Sequence, residues 1–398
     1  MLDDDEIDDE EDEEEEDDYF FNDSDEADNY EHLQRPEGLN YDTALPSSHD
    51  YLGTNFEDVS APRSCHEFND EITLPLIGLP GNESNNGVQL IPGQIMPVYF
   101  YSPLQIQIIR KRMTQANPTI GFVLNSSFFR LSEESLTNPL VSDSLKLGIV
   151  AEIMSASYDT PENPQSMLTG VDGLIIKVKG RDRFRVLSTR RDITGCVIAK
   201  VRILPEYVMS SNPLMQCKNE LDVSRYLSET KSDRSLTSRV EAGNVLFPHP
   251  AWVFRMYDCN YLIEVILDEL NKLFSVDTMQ KNEDEKRDFK NPKIFCSWLL
   301  TNFPFDNKMR IDCLRMDCLN HRLMFMHKLI RSFTNISCSE CGAPLCSKLD
   351  VFCISKQGFT TAYLNPGGII HETLTVFKLR NFVIMRAPPS AQHSWFPG

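Results

Sequence analysis

The chain has 398 residues, enough for two domains and a tail, with ordinary apolar (41%) and charged (25%) fractions. Its formal net charge of -20 is not ordinary, and it argues against nucleic acid as a partner, because phosphate is met by basic patches. No apolar run is long enough to span a bilayer, and the first residues are acidic where a secretory leader is basic and then apolar. No membrane association is therefore expected. The eleven cysteines are expected as reduced thiols in a protein of the cytoplasm and nucleus.

In chain order, residues 1–70 come first as an acidic tail. The run from Asp3 to Asp18 is almost entirely Asp and Glu; it repels itself and has no apolar surface to bury, which predicts disorder. An interaction tail and a plain solvating leader are both open readings of it. Residues 71–247 form the next segment, with strand patterns at Ile72–Pro80 and Ile120–Leu124. Two short strands are expected around Pro92-Gly93 within Val88–Phe100, and a helix over Leu104–Met113. Leu147–Ile153 and Gly173–Val186 are further strands. From Cys196 to Ile203, Val197, Ala199, Val201 and Ile203 share one face and Ile198, Lys200 and Arg202 the other, the alternation of a half-buried strand.

Across residues 248–332 the period changes to 3.6. Leu262, Ile263, Ile266, Leu267, Leu270, Leu273 and Phe274 make one apolar stripe, and Phe295, Trp298 and Leu299 sit on a short second helix. A third helix is expected from about Asn307 to Arg331, with Asp306 or Asn307 as its N-cap. Residues 333–398 return to strand-like patterns. They hold Cys338-Ser-Glu-Cys341, a spacing that grips one side of a tetrahedral zinc ion. Two other readings stay open: two small buried cysteines, or a four-thiol site with Cys346 and Cys353. His371-Glu372 does not make a zinc protease motif, since position 375 is Thr rather than His and the surrounding residues favour a strand.

Several of these landmarks resemble known families. Leu74-Pro75-Leu76, the Pro92-Gly93 turn, and the V-x-G-R-x-R-F segment from Val178 to Phe184 are similar, in that order, to the N-terminal domain of Lon proteases. That domain carries neither nucleophile nor ATPase, so the resemblance implies no proteolysis. His371–Val376 (H-E-T-L-T-V) and His393–Gly398 (H-S-W-F-P-G) resemble the cereblon family over about residues 72–398.

The resemblance implies an α+β protein: a Lon N-terminal-like antiparallel β domain, a helical bundle segment and a partial zinc-bound β domain. It implies a non-catalytic receptor that recruits protein substrates to a cullin-4 RING ubiquitin ligase, with the helical segment on the adaptor damaged-DNA-binding protein 1. It also implies zinc on Cys338 and Cys341, and a cyclic-imide pocket involving Asn365, His393, Ser394 and Trp395. The family's second C-x-x-C and two further pocket tryptophans match positions past Gly398. The zinc site is therefore expected to be incomplete, and imide binding to need a longer C-terminus. The histidine common after the family's Asn-Pro pair is Gly367 here, and Gln392 stands where a glutamate is usual. An adaptor-binding form without ligand recognition and a stand-alone Lon-type peptide-binding module are the alternatives.

Overall fold

The computed structural model describes residues 48–53, 55–59, 66–79, 88–130, 143–158, 173–192, 195–209, 255–273, 289–352, 358–365 and 368–382. Seven strands form the first sheet: β1 (Glu57–Asp58), β2 (Glu71–Ile77), β3 (Ile95–Phe100), β4 (Thr119–Val123), β5 (Leu147–Tyr158), β6 (Leu174–Arg191) and β7 (Val197–Ile203). Their order is β1-β5-β4-β2-β7-β6-β3, and β5 also pairs with β6, so β5, β4, β2, β7 and β6 close into a ring. All pairings in this sheet are antiparallel except β2 with β4, where Leu76 faces Gly121. The long β6 makes closure possible: its first half lies between β3 and β5, and its second half runs along β7.

Strand alternation sorts the side chains into two cores. Inside the ring sit Leu74, Leu76, Val123, Val150, Phe184, Val186, Ala199 and Val201. The alternation expected over Val197–Ile203 is present: Ala199, Val201 and Ile203 are buried, while Lys200 and Arg202 are exposed. The outward residues of β3, β5 and β6, among them Val98, Ile149 and Ile176, join a second core with the helices.

The expected first strand of the Pro92-Gly93 pair is absent. Residues 88–94 are coil, buried over Gln89–Pro92, with an exposed turn at Gly93 (φ 85°). The Gly93 amide donates to the Gly180 carbonyl at 2.8 Å, and the Gly180 amide to the Gln94 carbonyl at 2.9 Å. A Cβ on Gly180 would lie 2.2 Å from the Ile91 carbonyl oxygen, so the two backbones touch here and only glycine fits. Part of the expected N-terminal tail is also placed in the fold. His49 buries its ring, Glu57 and Asp58 extend the sheet alongside β5, and Lys177 donates to the Ser48 carbonyl at 3.0 Å. The acidic run from Asp3 to Asp18 lies outside the described residues.

Helix α1 (Pro103–Met113) packs Ile106 and Ile109 against the barrel. Four helices follow the barrel: α2 (Cys259–Leu273), α3 (Pro292–Asn302), α4 (Asn307–Arg315) and α5 (Leu319–Ser332). The Asn291 side chain caps α3 by accepting from the Lys293 amide, with Pro292 at the first helical position. α5 packs on α2, and both pack on α3. The single helix expected over Asn307–Arg331 is in fact two. Between them, the Tyr207 amide donates to the Asp317 carbonyl and the Leu319 amide to the Tyr207 carbonyl, so an extended strand segment replaces the helical bonds.

At the break, two buried arginines join barrel to helices. Arg183, on β6, bonds Glu206 (2.6 Å), the Leu314 carbonyl (2.6 Å), Asp317 (3.2 Å) and the Pro205 carbonyl. Arg322, on α5, pairs with the same Glu206 at 3.0 Å and donates to the Met316 carbonyl. Taking a guanidinium out of water is costly unless its donors are met, and here the carbonyls of Leu314, at the end of α4, and of Met316, at the break, accept from the two arginines beside the shared Glu206.

The last described residues form a hairpin, β8 (Asn335–Ser337) and β9 (Pro344–Ser347), and a three-stranded sheet of β10 (Val351–Phe352), β12 (Ile370–Val376) and β11 (Thr360–Leu364) in that order. That sheet is tied to the helices. The Phe359 amide donates to the Asn302 carbonyl at 3.0 Å, Thr360 Oγ1 to the Thr301 carbonyl at 2.9 Å, and buried Arg310 pairs with Glu372.

Candidate functional site

Cys338 and Cys341 occupy the tip of the β8–β9 hairpin. The chain reverses there because Gly342 adopts φ 72°, its amide donates to the Cys338 carbonyl at 3.0 Å, and the Cys338 amide donates to the Ala343 carbonyl at 2.9 Å. The Cys338 sulfur accepts backbone N–H bonds from Cys341 and then Glu340, which hold its thiol below the usual range; the Cys341 side chain adds to this. A thiol that ionises readily at an exposed knuckle has the character a metal ligand requires. Cys346 is different. It lies on β9 opposite Ile336, buried, and burial pushes its thiol up, with Asp350 adding to the shift. It behaves as a core residue rather than a partner of the knuckle.

Cys353, the fourth thiol of the alternative site, lies outside the described residues. Among the described residues no three metal-binding side chains come together. The donors present therefore fit half of a tetrahedral zinc shell: two thiols, spaced and solvated for the purpose.

Asn365 closes the turn from β11 to β12. Its amide donates to the Ile369 carbonyl at 2.9 Å, its side-chain oxygen accepts from the Ile369 amide at 2.8 Å, and its carbonyl accepts from the Gly368 amide at 2.9 Å. Its Nδ2 donates to Nε2 of His371 at 3.1 Å. The turn is seated from two sides. Tyr51 Oη accepts from the Leu364 amide at 2.9 Å while its ring packs on Tyr363, and a Cβ on Gly368 would meet the Tyr99 ring at 2.4 Å. His393, Ser394 and Trp395 lie outside the described residues, as do Gly367 and Gln392, so no contact between them and Asn365 is described. His371 and Glu372 are adjacent on an extended strand and so face opposite ways, and Glu372 is taken by Arg310. That is the arrangement of a sheet, not of a zinc-binding helix.

Tyr51 and Arg310 hold this region, and neither stood out in the sequence. Both lie far along the chain from the residues they support, Tyr51 in a segment without motif or period and Arg310 on an expected helix whose period marks its apolar face but names no partner for a charged residue. Arg183 was at hand inside V-x-G-R-x-R-F, where alternation with the core residue Phe184 sends it outward toward the helices.

Comparison with known proteins agrees with this architecture. Residues 80–332 match the family model described as the ATP-dependent protease La (LON) substrate-binding domain, which takes in β3 to β7 of the barrel and the helices α1 to α5 but not β1 or β2. Protein cereblon of Xenopus tropicalis is 30% identical over 381 residues, covering 92% of this chain and 77% of the relative. This chain belongs to the cereblon family. Protein cereblon of Gallus gallus is 29% identical, with the same coverage of each chain. Protein cereblon of Danio rerio is 28% identical over 92% of this chain and 80% of the relative. The cereblon match spans nearly the whole chain, whereas the Lon model stops at the end of α5. The knuckle and the Asn365 turn thus belong to the part that only the cereblon relatives share.

Proposed function

We propose that this chain is the substrate-recognition subunit of a cullin-4 RING ubiquitin ligase in the cytoplasm and nucleus, and that it is not itself an enzyme. It would recruit proteins for ubiquitin transfer carried out elsewhere in the complex. The observation that carries the reading is kinship with cereblon over 92% of the chain, across both the Lon-type region and the C-terminal sheet. The Lon-type part belongs to a family described as substrate-binding, which agrees with a receptor.

The helical segment is the proposed seat of the adaptor, damaged-DNA-binding protein 1. Its inward faces are committed to the core, and Met256, Tyr261, Ile294 and Met309 remain exposed. Large apolar side chains left on an outer surface are the material of a protein interface. Cys338 and Cys341 are proposed as two of the ligands of a structural zinc, which would fix the fold of its hairpin when bound. Asn365 is proposed at the edge of a cyclic-imide pocket.

Co-expression of the full chain with damaged-DNA-binding protein 1, followed by size-exclusion chromatography, tests the central part. A stoichiometric complex is expected. Separate elution of the two at micromolar concentration would leave the Lon-type peptide-binding module as the better reading.

A further inference from the structure

Two cysteines open two neighbouring helices. Cys259 is the first residue of α2 and Cys318 is the N-cap of α5; both are free thiols. α5 packs on α2, and the two helices run parallel and in step. At their starts the Asn320 side chain donates to the Tyr257 carbonyl, and toward their ends Glu269 of α2 acts on His327 of α5.

Asn320 stands between the two thiols. Its Oδ1 lies 3.8 Å from the Cys318 sulfur, which donates to it, while its Nδ2 bonds the residue two places before Cys259. The same Oδ1 accepts from the Met209 amide at 2.7 Å, so this fully buried side chain is held on three sides and fixes one helix start against the other. Each cysteine sits at a helix start, where the first amides have no helical partner and the chain shifts more easily than in mid-helix.

The thiols of this core differ in what can reach them. Cys296 and Cys313 are completely buried, and Cys259 is 4% exposed. Burial pushes the Cys259 thiol up to about 12, with Asp258 and then Cys318 adding to the shift, so Cys259 is not the group that meets an oxidant first. Cys318 is only half-buried, at the extended break that separates α4 from α5.

We propose that Cys318 is a site of oxidation by peroxides, and that Cys259 resolves it as a disulfide joining the starts of α2 and α5. The Cys318 sulfur takes one peroxide oxygen and becomes a sulfenic acid, and the other oxygen leaves as water with the thiol proton. The Cys259 sulfur then attacks the sulfenic sulfur, and hydroxide leaves with the second thiol proton as another water. Two thiol hydrogens and two electrons pass to the peroxide and one S–S bond forms. In a reducing compartment the pair rests as thiols. Once formed, the bond closes a loop that carries α3 and α4, and so locks the helical segment at one corner. The proposal does not depend on the ligase role.

Peptide mapping of the full chain tests it, after reduction, removal of the reductant, brief exposure to hydrogen peroxide and alkylation of the remaining thiols. Trypsin releases Cys259 in residues 256–272 and Cys318 in residues 316–322, each with no other cysteine. The expected product is these two peptides cross-linked, short of the two thiol hydrogens and separated again by dithiothreitol. Oxidation is expected to raise the unfolding temperature by several degrees, since the bond restricts the unfolded chain. Cys259→Ala is expected to halt at a Cys318 sulfenic acid that dimedone traps. Cys318→Ser is expected to leave Cys259 unoxidised, and Cys196→Ser, on the barrel, to leave the cross-link unchanged. Oxidation of Cys318 without the cross-link, Cys318 untouched while other cysteines react, or Cys259 joined to Cys296 instead would each overturn the proposal.

Discussion

Phe184 fills the barrel because its neighbours on two other strands have no side chain. A Cβ on Gly148 would lie 2.3 Å from the Phe184 ring and 2.6 Å from the Phe122 carbonyl oxygen, and one on Gly121 would lie 2.4 Å from Leu74. The ring has some freedom to shift; the carbonyl does not. Gly148→Ala is expected to lower stability by about 1–3 kcal/mol, read as an earlier denaturant midpoint with unchanged slope. A variant as stable as the parent would mean that the barrel is more loosely filled than described here.

His49 offers a test in pH. Its Nε2 donates to the Ile95 carbonyl at 3.2 Å, and burial, opposed by that bond and aided by Lys177, lowers its pKa to about 4. Asp50 pulls weakly the other way. The unfolded chain therefore takes up this proton at a higher pH than the folded one, and the stability that neutral His49 supports is present above about pH 6.5 and is lost as pH falls toward 4. His49→Gln is expected to flatten the pH dependence of stability in that window. A steepness identical to the parent's would show that His49 is not a source of acid sensitivity. Nothing in the sequence marked this histidine, because its burial depends on β3, more than forty residues further on.

At the scale of elements, the strands were largely legible and the joints were not. The Val197–Ile203 alternation and the α2 stripe follow from period alone, since each faces a single core. The expected strand over residues 88–91 failed because an apolar run reads the same whether it pairs as a strand or lies as buried coil against Gly180. The expected long helix failed because its interruption is imposed from outside, by Tyr207 and by two arginines that need the carbonyls a break sets free.

That junction makes a firm prediction. Arg183→Met removes one partner of a buried charged cluster and leaves Glu206 and Asp317 facing Arg322 alone. A loss of about 3–5 kcal/mol is expected. Replacing Asp317, whose side chain is 38% exposed, by Asn is expected to cost far less. Equal costs would mean that the cluster is not the tie between barrel and helices.

The knuckle was legible as a spacing, and the structure adds the contrast between an acidified Cys338 and a buried Cys346. If Cys338 and Cys341 bind zinc, Cys338→Ala is expected to remove the zinc that purified protein carries, and Cys346→Ala to leave it. Metal analysis decides, and loss of zinc from the Cys346 variant as well as the Cys338 variant would favour the four-thiol site.

Over the whole molecule, barrel, helices and C-terminal sheet are joined by buried polar ties, Arg183 and Arg322 on one side of the helices and Arg310, Thr301 and Asn302 on the other. The helical segment is the middle of this arrangement; the adaptor proposed for its outer surface would leave the Asn365 turn uncovered. The family resemblance made the receptor role legible. It did not separate inward from outward residues, because helical period shows that an apolar face exists but not which further residues stay exposed after packing. Hydrogen–deuterium exchange of the full chain, with and without damaged-DNA-binding protein 1, tests this placement most directly. Added protection is expected in α2 to α4, around Tyr261, Ile294 and Met309, and none in β11 or β12. Protection confined to the C-terminal sheet, or none in the helices at saturating adaptor, would contradict it.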